Sequence, residues 1–389
     1  AASTGVICSS IVLPYYTIGV LVVPVTEEFG WTRAQFQAAI LFSTGMGAAT
    51  APLVGWLTDR YGPRAVALPG LIGLSLGFAA ASQIEGQLWM LFLAYGSMAL
   101  LGAGTIPVTW SRAIATSFFS QRGLALGIAL AGTGICAILV PHYTVWFVEN
   151  YGWRGAYLAI ALLPLLLAFP IVFIGFRPRS LAIDNTAEEV MSESSGMTLG
   201  EALRHYKFWI LLASIFMVYL GVSGIVPNLF PSLIDNGFSQ TQAATIQSVF
   251  GISIILGRIT VGYLVDRFWA PGIAAVSLFL PVIGCMILAG TPTFYSAALA
   301  ILLIGLAAGA ELDLMAFLTA KYFGLKHYAK IYSLLYATLA VCSGAAPMLF
   351  AWVYDQTASY ELGYYAAAGL LFIGALLMPA MGRYPESKA

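Results

Sequence analysis

The chain has 389 residues, of which 60% are hydrophobic and only 9% charged; its net charge is zero and its mean hydropathy is +0.87. A soluble domain carries about a quarter charged residues, so this composition cannot clothe a water-facing surface. It also offers no basic face for nucleic acid, and apolar stretches use nearly the whole length, which leaves no room for a soluble catalytic domain.

A helix needs about 20 apolar residues to cross the hydrocarbon core. In chain order the predicted spans are 3–27, 33–57, 64–83, 88–113, 123–148 and 154–176, then 207–233, 241–263, 270–290, 293–319, 328–355 and 360–382. None shows the period-2 alternation of an outer-membrane barrel. The first span lacks a basic leading region and an AxA-type site, so it is read as a helix rather than a cleaved signal. Between the sixth and seventh spans the composition turns to Ser, Glu and Arg, a soluble linker over 177–206 whose pattern is compatible with a short amphipathic helix. The division is thus 1–176, a six-helix bundle; 177–206, a cytoplasmic linker; and 207–389, a second six-helix bundle. Cys8, Cys136, Cys285 and Cys342 all fall in apolar stretches without metal spacing, as free thiols in a core do.

Lys and Arg set the orientation. With both termini cytoplasmic, fourteen of the seventeen fall on the inner side and only Arg33 and Arg154 on the outer, beside Trp31 and Trp153, with Arg258 inside the membrane. The setting expected is a bacterial inner membrane.

The two bundles repeat. Gly55-Trp-Leu-Thr-Asp59-Arg60-Tyr-Gly62-Pro-Arg64 follows the second span, and Gly262-Tyr-Leu-Val-Asp266-Arg267 follows the eighth. Phe118-Phe119 with Arg122 before the fifth span matches Tyr322-Phe323 with Lys326 before the eleventh. Parallel repeats of this kind place a substrate site at their interface near the bilayer midplane.

Gly55 to Arg64 resembles the G-x-x-x-D-R-x-G-x-R loop of the major facilitator superfamily. The resemblance implies an all-α membrane protein of twelve transmembrane helices in two pseudo-symmetric six-helix halves. It also implies a gate in which the Asp59 carboxylate caps a neighbouring helix and pairs with arginine, with Arg60 and Arg64 beside it. The second copy, Asp266 and Arg267, continues as Phe268-Trp-Ala-Pro271 without the glycine and distal arginine, and is the weaker gate. Phe29-Gly30-Trp31-Thr32-Arg33, Arg122-Gly123-Leu-Ala-Leu-Gly127, Gly152-Trp153-Arg154 and Gly257-Arg258-Ile-Thr-Val-Gly262 are similar to the monocarboxylate transporters and the bacterial oxalate/formate exchangers. In those families the arginine at position 258 binds the substrate carboxylate. Two departures bear on the substrate. The lysine that the exchangers carry in the eleventh helix is absent after Tyr336, and the first helix has no lysine. One fixed cation suits one carboxylate better than two.

Only Glu311 and Asp313 lie deep within a span, the tenth; the other fifteen of the seventeen carboxylates fall in loops, linker, tail or at the ends of spans. A charge at a helix centre costs about 3 kcal/mol on insertion scales, so such residues face a cavity or a partner. Arg258 lies eight residues before Asp266 and Asp313 eight before Lys321, a similar depth. Their first-half counterparts are Ala51 for Arg258, Pro107 for Glu311 and Thr109 for Asp313, so these charges are not shared scaffold. The expectation is that Arg258 binds a carboxylate while Glu311 or Asp313 carries the coupling proton. The competing readings are a static Arg258–Asp313 bridge, a gate role for Arg258, and attraction of a cation by the acidic pair.

Softer candidates complete the set. His142 is either a proton relay or packed at an interface. Asn228, after Pro227, either bonds a substrate or satisfies a broken backbone. Tyr15, Tyr16, Tyr219, Tyr332 and Tyr336 offer hydroxyls and ring faces to an anion, or are structural; Trp110 stacks on a ligand or anchors at the interface. Gly45–Gly47 and Gly132–Gly134 would allow close helix approach.

The function expected is a proton-coupled symporter of a small monocarboxylate or related organic anion working by alternating access. It would be a monomer in a lipid bilayer, without cofactor, metal or enzymatic activity. Its alternatives are an anion exchanger without proton coupling, a drug or cation carrier using the acidic pair, and a non-transporting membrane sensor or enzyme.

Overall fold

The computed structural model describes residues 1–115, 128–175, 196–324 and 327–384. Among these, secondary structure is helical apart from one antiparallel bridge between Gly196 and Gly324. Among the described residues, nine helical stretches are long and apolar enough to cross a membrane. One of them, 128–175, is long enough for two passes, and Leu88–Leu101 is a shorter apolar helix. The outward-facing surface is apolar, with Leu93, Leu139, Ile174, Ile259, Val276 and Leu376 among its exposed side chains.

The first predicted span is two helices, α1 (Ala2–Ile7) and α2 (Val12–Phe29), and not the one expected. The fourth is likewise split into α5 (Leu88–Leu101) and α6 (Pro107–Ala115) by a 3-10 turn. Between them run α3 (Arg33–Tyr61) and α4 (Pro63–Ala81). The break after α5 falls where Gly70 and Gly104 approach backbone to backbone, so the chain deviates to let α4 in. α7 (Gly132–Leu162) holds the fifth and the start of the sixth pass, bent at Gly152, whose φ of 70° favours glycine. A π-helical turn at Leu163–Ala168, starting beside Pro164, leads into α8 (Phe169–Gly175). Of the 177–206 linker, the part to 195 lies outside the described residues, as do Phe118, Phe119, Arg122 and the Gly123–Gly127 motif. From 196 the chain forms the short α9 (Leu199–Arg204).

Then follow α10 (Tyr206–Asp235), α11 (Gln240–Val265), α12 (Ala270–Ala289), α13 (Phe294–Phe323), α14 (Tyr328–Thr357) and α15 (Glu361–Leu377). This arrangement is consistent with twelve passes. Thr32, Ser239 and Thr293 open α3, α11 and α13 with reciprocal capping boxes to Gln35, Gln242 and Ser296, satisfying amides that would otherwise be orphaned. All three openings lie at the end of the molecule that carries Arg33.

Packing brings the site together. α11 runs along α13, α3 against α14, α7 against α11, and α10 against α2, α14 and α15. A Cβ on Gly257 would collide with the Leu306 carbonyl, and one on Gly309 with the Ile254 carbonyl. Only glycines allow α11 and α13 to lie backbone against backbone there, and that contact sets Arg258 beside the acidic turn of α13. Gly134 of α7 and Gly251 of α11 make a second such crossing. Gly45 has nothing near its missing side chain, so the expected close approach does not occur there.

Candidate functional site

A central cavity of about 210 Å³ lies among α2, α3, α7, α10, α11, α13 and α14. Its walls are largely apolar, with Tyr16, Phe250, Val222 and Ile254 among them; its charged lining residues are Arg258 and Glu311. Of the sequence candidates it also collects Tyr15 and Tyr219.

Arg258 projects from α11, with its side chain 16% exposed. Its Nε lies 3.2 Å from Oδ2 of Asp313, an ion pair without hydrogen-bond alignment, since neither Nε nor Nη1 has a hydrogen-bond partner. Asp313 is the more open of the two, with 44% of its side chain exposed. A buried guanidinium with unused donors is costly, and here those donors belong to a residue that lines the cavity. Glu311 is buried, and its Oε1 also lacks a hydrogen-bond partner. The Tyr219 phenol lies against this carboxylate. Tyr15 donates its hydroxyl proton to the Ser223 carbonyl at 3.2 Å and meets Tyr16 edge to face.

Other candidates lie elsewhere. Trp110 is not in the cavity lining: it is buried in a cluster with Val6, Cys8, Leu71 and Val172, and its Nε1 donates to the Thr105 carbonyl at 2.7 Å. Its indole fills the space left by Gly5, so it holds α1 against α6 rather than stacking on a ligand. Asn228 is fully buried and donates to the carbonyls of Gly224 and Pro347 at 2.9 and 3.0 Å. It serves the proline-interrupted backbones of α10 and α14, not the cavity. His142 is exposed at the α7–α11 contact, near the hydroxyls of Thr245 and Ser248. Tyr328, Tyr332 and Tyr336 stack in a ladder along α14, outside the cavity lining.

At the end of the molecule bearing Arg60, the gate candidates are apart. Arg60 lies over the Trp56 and Tyr61 rings, Arg64 over Phe173, and Arg267 over Tyr263. Among the described residues neither these arginines nor the exposed Asp266 forms an ion pair; the Asp59 side chain lies outside them. The opposite end is bound across the two repeats. Arg33 forks onto Asp235 with hydrogen bonds of 2.6 and 2.9 Å and donates to the Tyr360 hydroxyl at 3.0 Å. Its guanidinium sits 3.9 Å over Tyr354. Asp355 accepts from the backbone amides of Arg33 and Ala34. Just beneath, Gln37 donates to the Pro227 carbonyl. The sequence marked Arg33 as an interfacial cation and as the end of the Phe29–Arg33 motif, not as a partner of Asp235.

The chain belongs to the Major Facilitator Superfamily, whose family model matches residues 5–310 and 211–389. It is thus a multi-pass membrane protein of a transporter family. Monocarboxylate transporter 13 from Bos taurus is 29% identical over 69% of this chain, and its Rattus norvegicus counterpart 30% identical over 69%. The chain spans 64% and 63% of the lengths of those two relatives. Monocarboxylate transporter 11 from Homo sapiens is 24% identical over 86% of this chain and 72% of its own length. Two solved structures share the fold, each with a TM-score of 0.73 and 15% identity. One is a bacterial homolog of the human lysosomal transporter Spinster in an inward-facing, occupied conformation, covering 97% of this chain and 95% of its own. The other is the peptide transporter POT in complex with sulfate, covering 98% and 94%.

Proposed function

We propose that this chain is a secondary carrier that moves a small monocarboxylate or related organic anion together with a proton. The observation that carries the reading is Arg258: a cavity-lining guanidinium with unused donors, whose ionic partner within 4 Å among the described residues is Asp313. A carboxylate arriving in a low-dielectric cavity supplies what those donors lack. The monocarboxylate transporters among its relatives support the same substrate class.

Asp313 is the proton carrier in this reading. While it is ionised it competes for Arg258; protonated, it releases the guanidinium to the anion, so proton and substrate bind together. The groups facing it are Arg258 from α11 and Tyr332 from α14. The halves, 1–176 and 207–389 joined by 177–206, rock about the cavity. With both termini cytoplasmic, the Arg33–Asp235 end is the outer gate, here closed, and the Arg60 end is the inner gate. The carrier works as a monomer in the cell membrane.

The test is uptake by the reconstituted protein in proteoliposomes under an imposed proton gradient, using short monocarboxylates. Uptake is expected to follow the gradient and to vanish in Arg258→Gln. Full uptake of every tested carboxylate by Arg258→Gln overturns the reading. Trans-stimulated exchange independent of pH would replace symport with antiport.

A further inference from the structure

A carboxylate held by Arg258 leaves Glu311 unexplained. This residue follows Gly309 by two positions, at the point where α13 meets α11. It precedes Asp313 by two residues, so the two carboxylates leave α13 about 200° apart. Asp313 turns to Arg258, whereas Glu311 turns to α10, against Tyr219 and into the cavity. It is only 7% exposed, and Oε1 has no hydrogen-bond partner. Within 4 Å no ion pair joins it to Arg258 or to any other cation among the described residues. Its first-half counterpart is Pro107, so the shared helical scaffold does not require an acid there.

A guanidinium held by Asp313 alone and an unpartnered carboxyl group therefore face one small, mostly apolar cavity without pairing with each other. A simple carboxylate answers only one of them and leaves the other acid buried and unpaired, which is costly in a medium of low dielectric. A cation alone answers only the other. A ligand bearing both charges satisfies both while adding no net charge to the membrane interior. The remaining wall, with Tyr16, Phe250, Val222, Val226, Ile254 and Ile40, suits an apolar or aromatic body.

We propose that the substrate is a monocarboxylate that also carries an ammonium group, an amino acid with an aromatic or branched apolar side chain. Its carboxylate sits on Arg258 and its ammonium on Glu311, with the Tyr219 phenol orienting the Glu311 carboxylate. This inference rests on the preceding reading of Arg258 and narrows its substrate class. Because the two anchors lie on α11 and α13, the ligand spans the contact made by Gly257 and Gly309, and chain length between charges becomes a selection criterion.

The experiment compares L-phenylalanine, 3-phenylpropionate and phenethylamine, which share one skeleton and differ in which charges they carry. L-leucine and 4-methylpentanoate form a second pair. Binding to the intact purified protein is followed by thermal shift, and counterflow by proteoliposome uptake. In the wild-type protein the amino acid of each pair is expected to bind roughly tenfold or more tightly than the acid lacking the ammonium group. In Glu311→Gln that gap should collapse, with the simple acid still bound; in Arg258→Gln both should be lost. If the simple acids bind the wild-type protein as well as the amino acids do, the zwitterion proposal is overturned and the monocarboxylate reading stands. Stabilisation by phenethylamine alone, or by none of the five, overturns both. The wild-type comparison holds even if a variant fails to fold.

Discussion

Arg33 and Asp235 meet through two parallel hydrogen bonds, one from each terminal guanidinium nitrogen to a separate carboxylate oxygen. They come from α3 and α10, 202 residues apart in the chain, so the fork ties the two sequence repeats together at one end. Tyr354 and Tyr360 enclose the guanidinium, and the side chains are 13% and 29% exposed. Charge-assisted forks of this kind are the stronger hydrogen bonds of proteins. Replacing Arg33 by Ala should loosen this end. A cysteine introduced at Gln37, directly beneath the fork, is expected to react several-fold faster with a membrane-impermeant maleimide in Arg33→Ala. Equal labelling with and without Arg33 would mean that the fork does not seal this end.

Asp313 should govern the pH response. As pH falls, its protonation releases Arg258, so wild-type uptake is expected to rise toward acid. Asp313→Asn imitates the protonated form permanently. Its uptake or exchange should be flat with pH and should no longer drive accumulation against a gradient. A variant with the full wild-type pH profile would exclude Asp313 as the carrier of the proton.

Gly257 is a steric requirement. Substitution by Ala pushes a methyl group into the Leu306 carbonyl, and overpacking of this kind costs about 1–3 kcal/mol. The melting temperature in detergent should fall, and because Arg258 is the next residue, substrate binding should weaken as well. Ala at Gly45, where nothing is near, should leave both unchanged and serves as the control.

Asn228 is expected to behave as a structural residue. Asn228→Ala removes the side-chain hydrogen bonds to the Gly224 and Pro347 carbonyls, each worth about 0.5–1.5 kcal/mol net. Stability should drop while the ranking of substrates is preserved. A changed ranking with unchanged stability would instead put Asn228 in contact with the ligand.

The helices were legible because each is a run of apolar residues of membrane length. Arg258 and Asp313 were legible too: charges are rare in such runs, and both lie eight residues from a charged residue near a helix end. The breaks at Cys8–Ile11 and Gly102–Ile106 were not, since both stretches stay apolar through the deviation. Trp110 was ambiguous for a related reason. An aromatic residue in a membrane helix has three apolar environments open to it, lipid, cavity and bundle core, and only packing chooses. The Phe29–Arg33 motif did not disclose the partners of Arg33, because Asp235, Asp355 and Tyr360 lie in distant segments that become neighbours only when the repeats assemble.

The carboxylate of Asp355 takes two backbone donors from the first turn of α3, a helix more than three hundred residues away in sequence. At the rim of the molecule, parting α3 from α14 would hand those donors straight to water. Exchanging the charged acceptor for water costs about 1.5–3 kcal/mol per hydrogen bond, so the closure is firm in geometry yet limited in depth. An alternating carrier of the kind proposed needs closures of that sort, because a deep well on either side would halt its cycle.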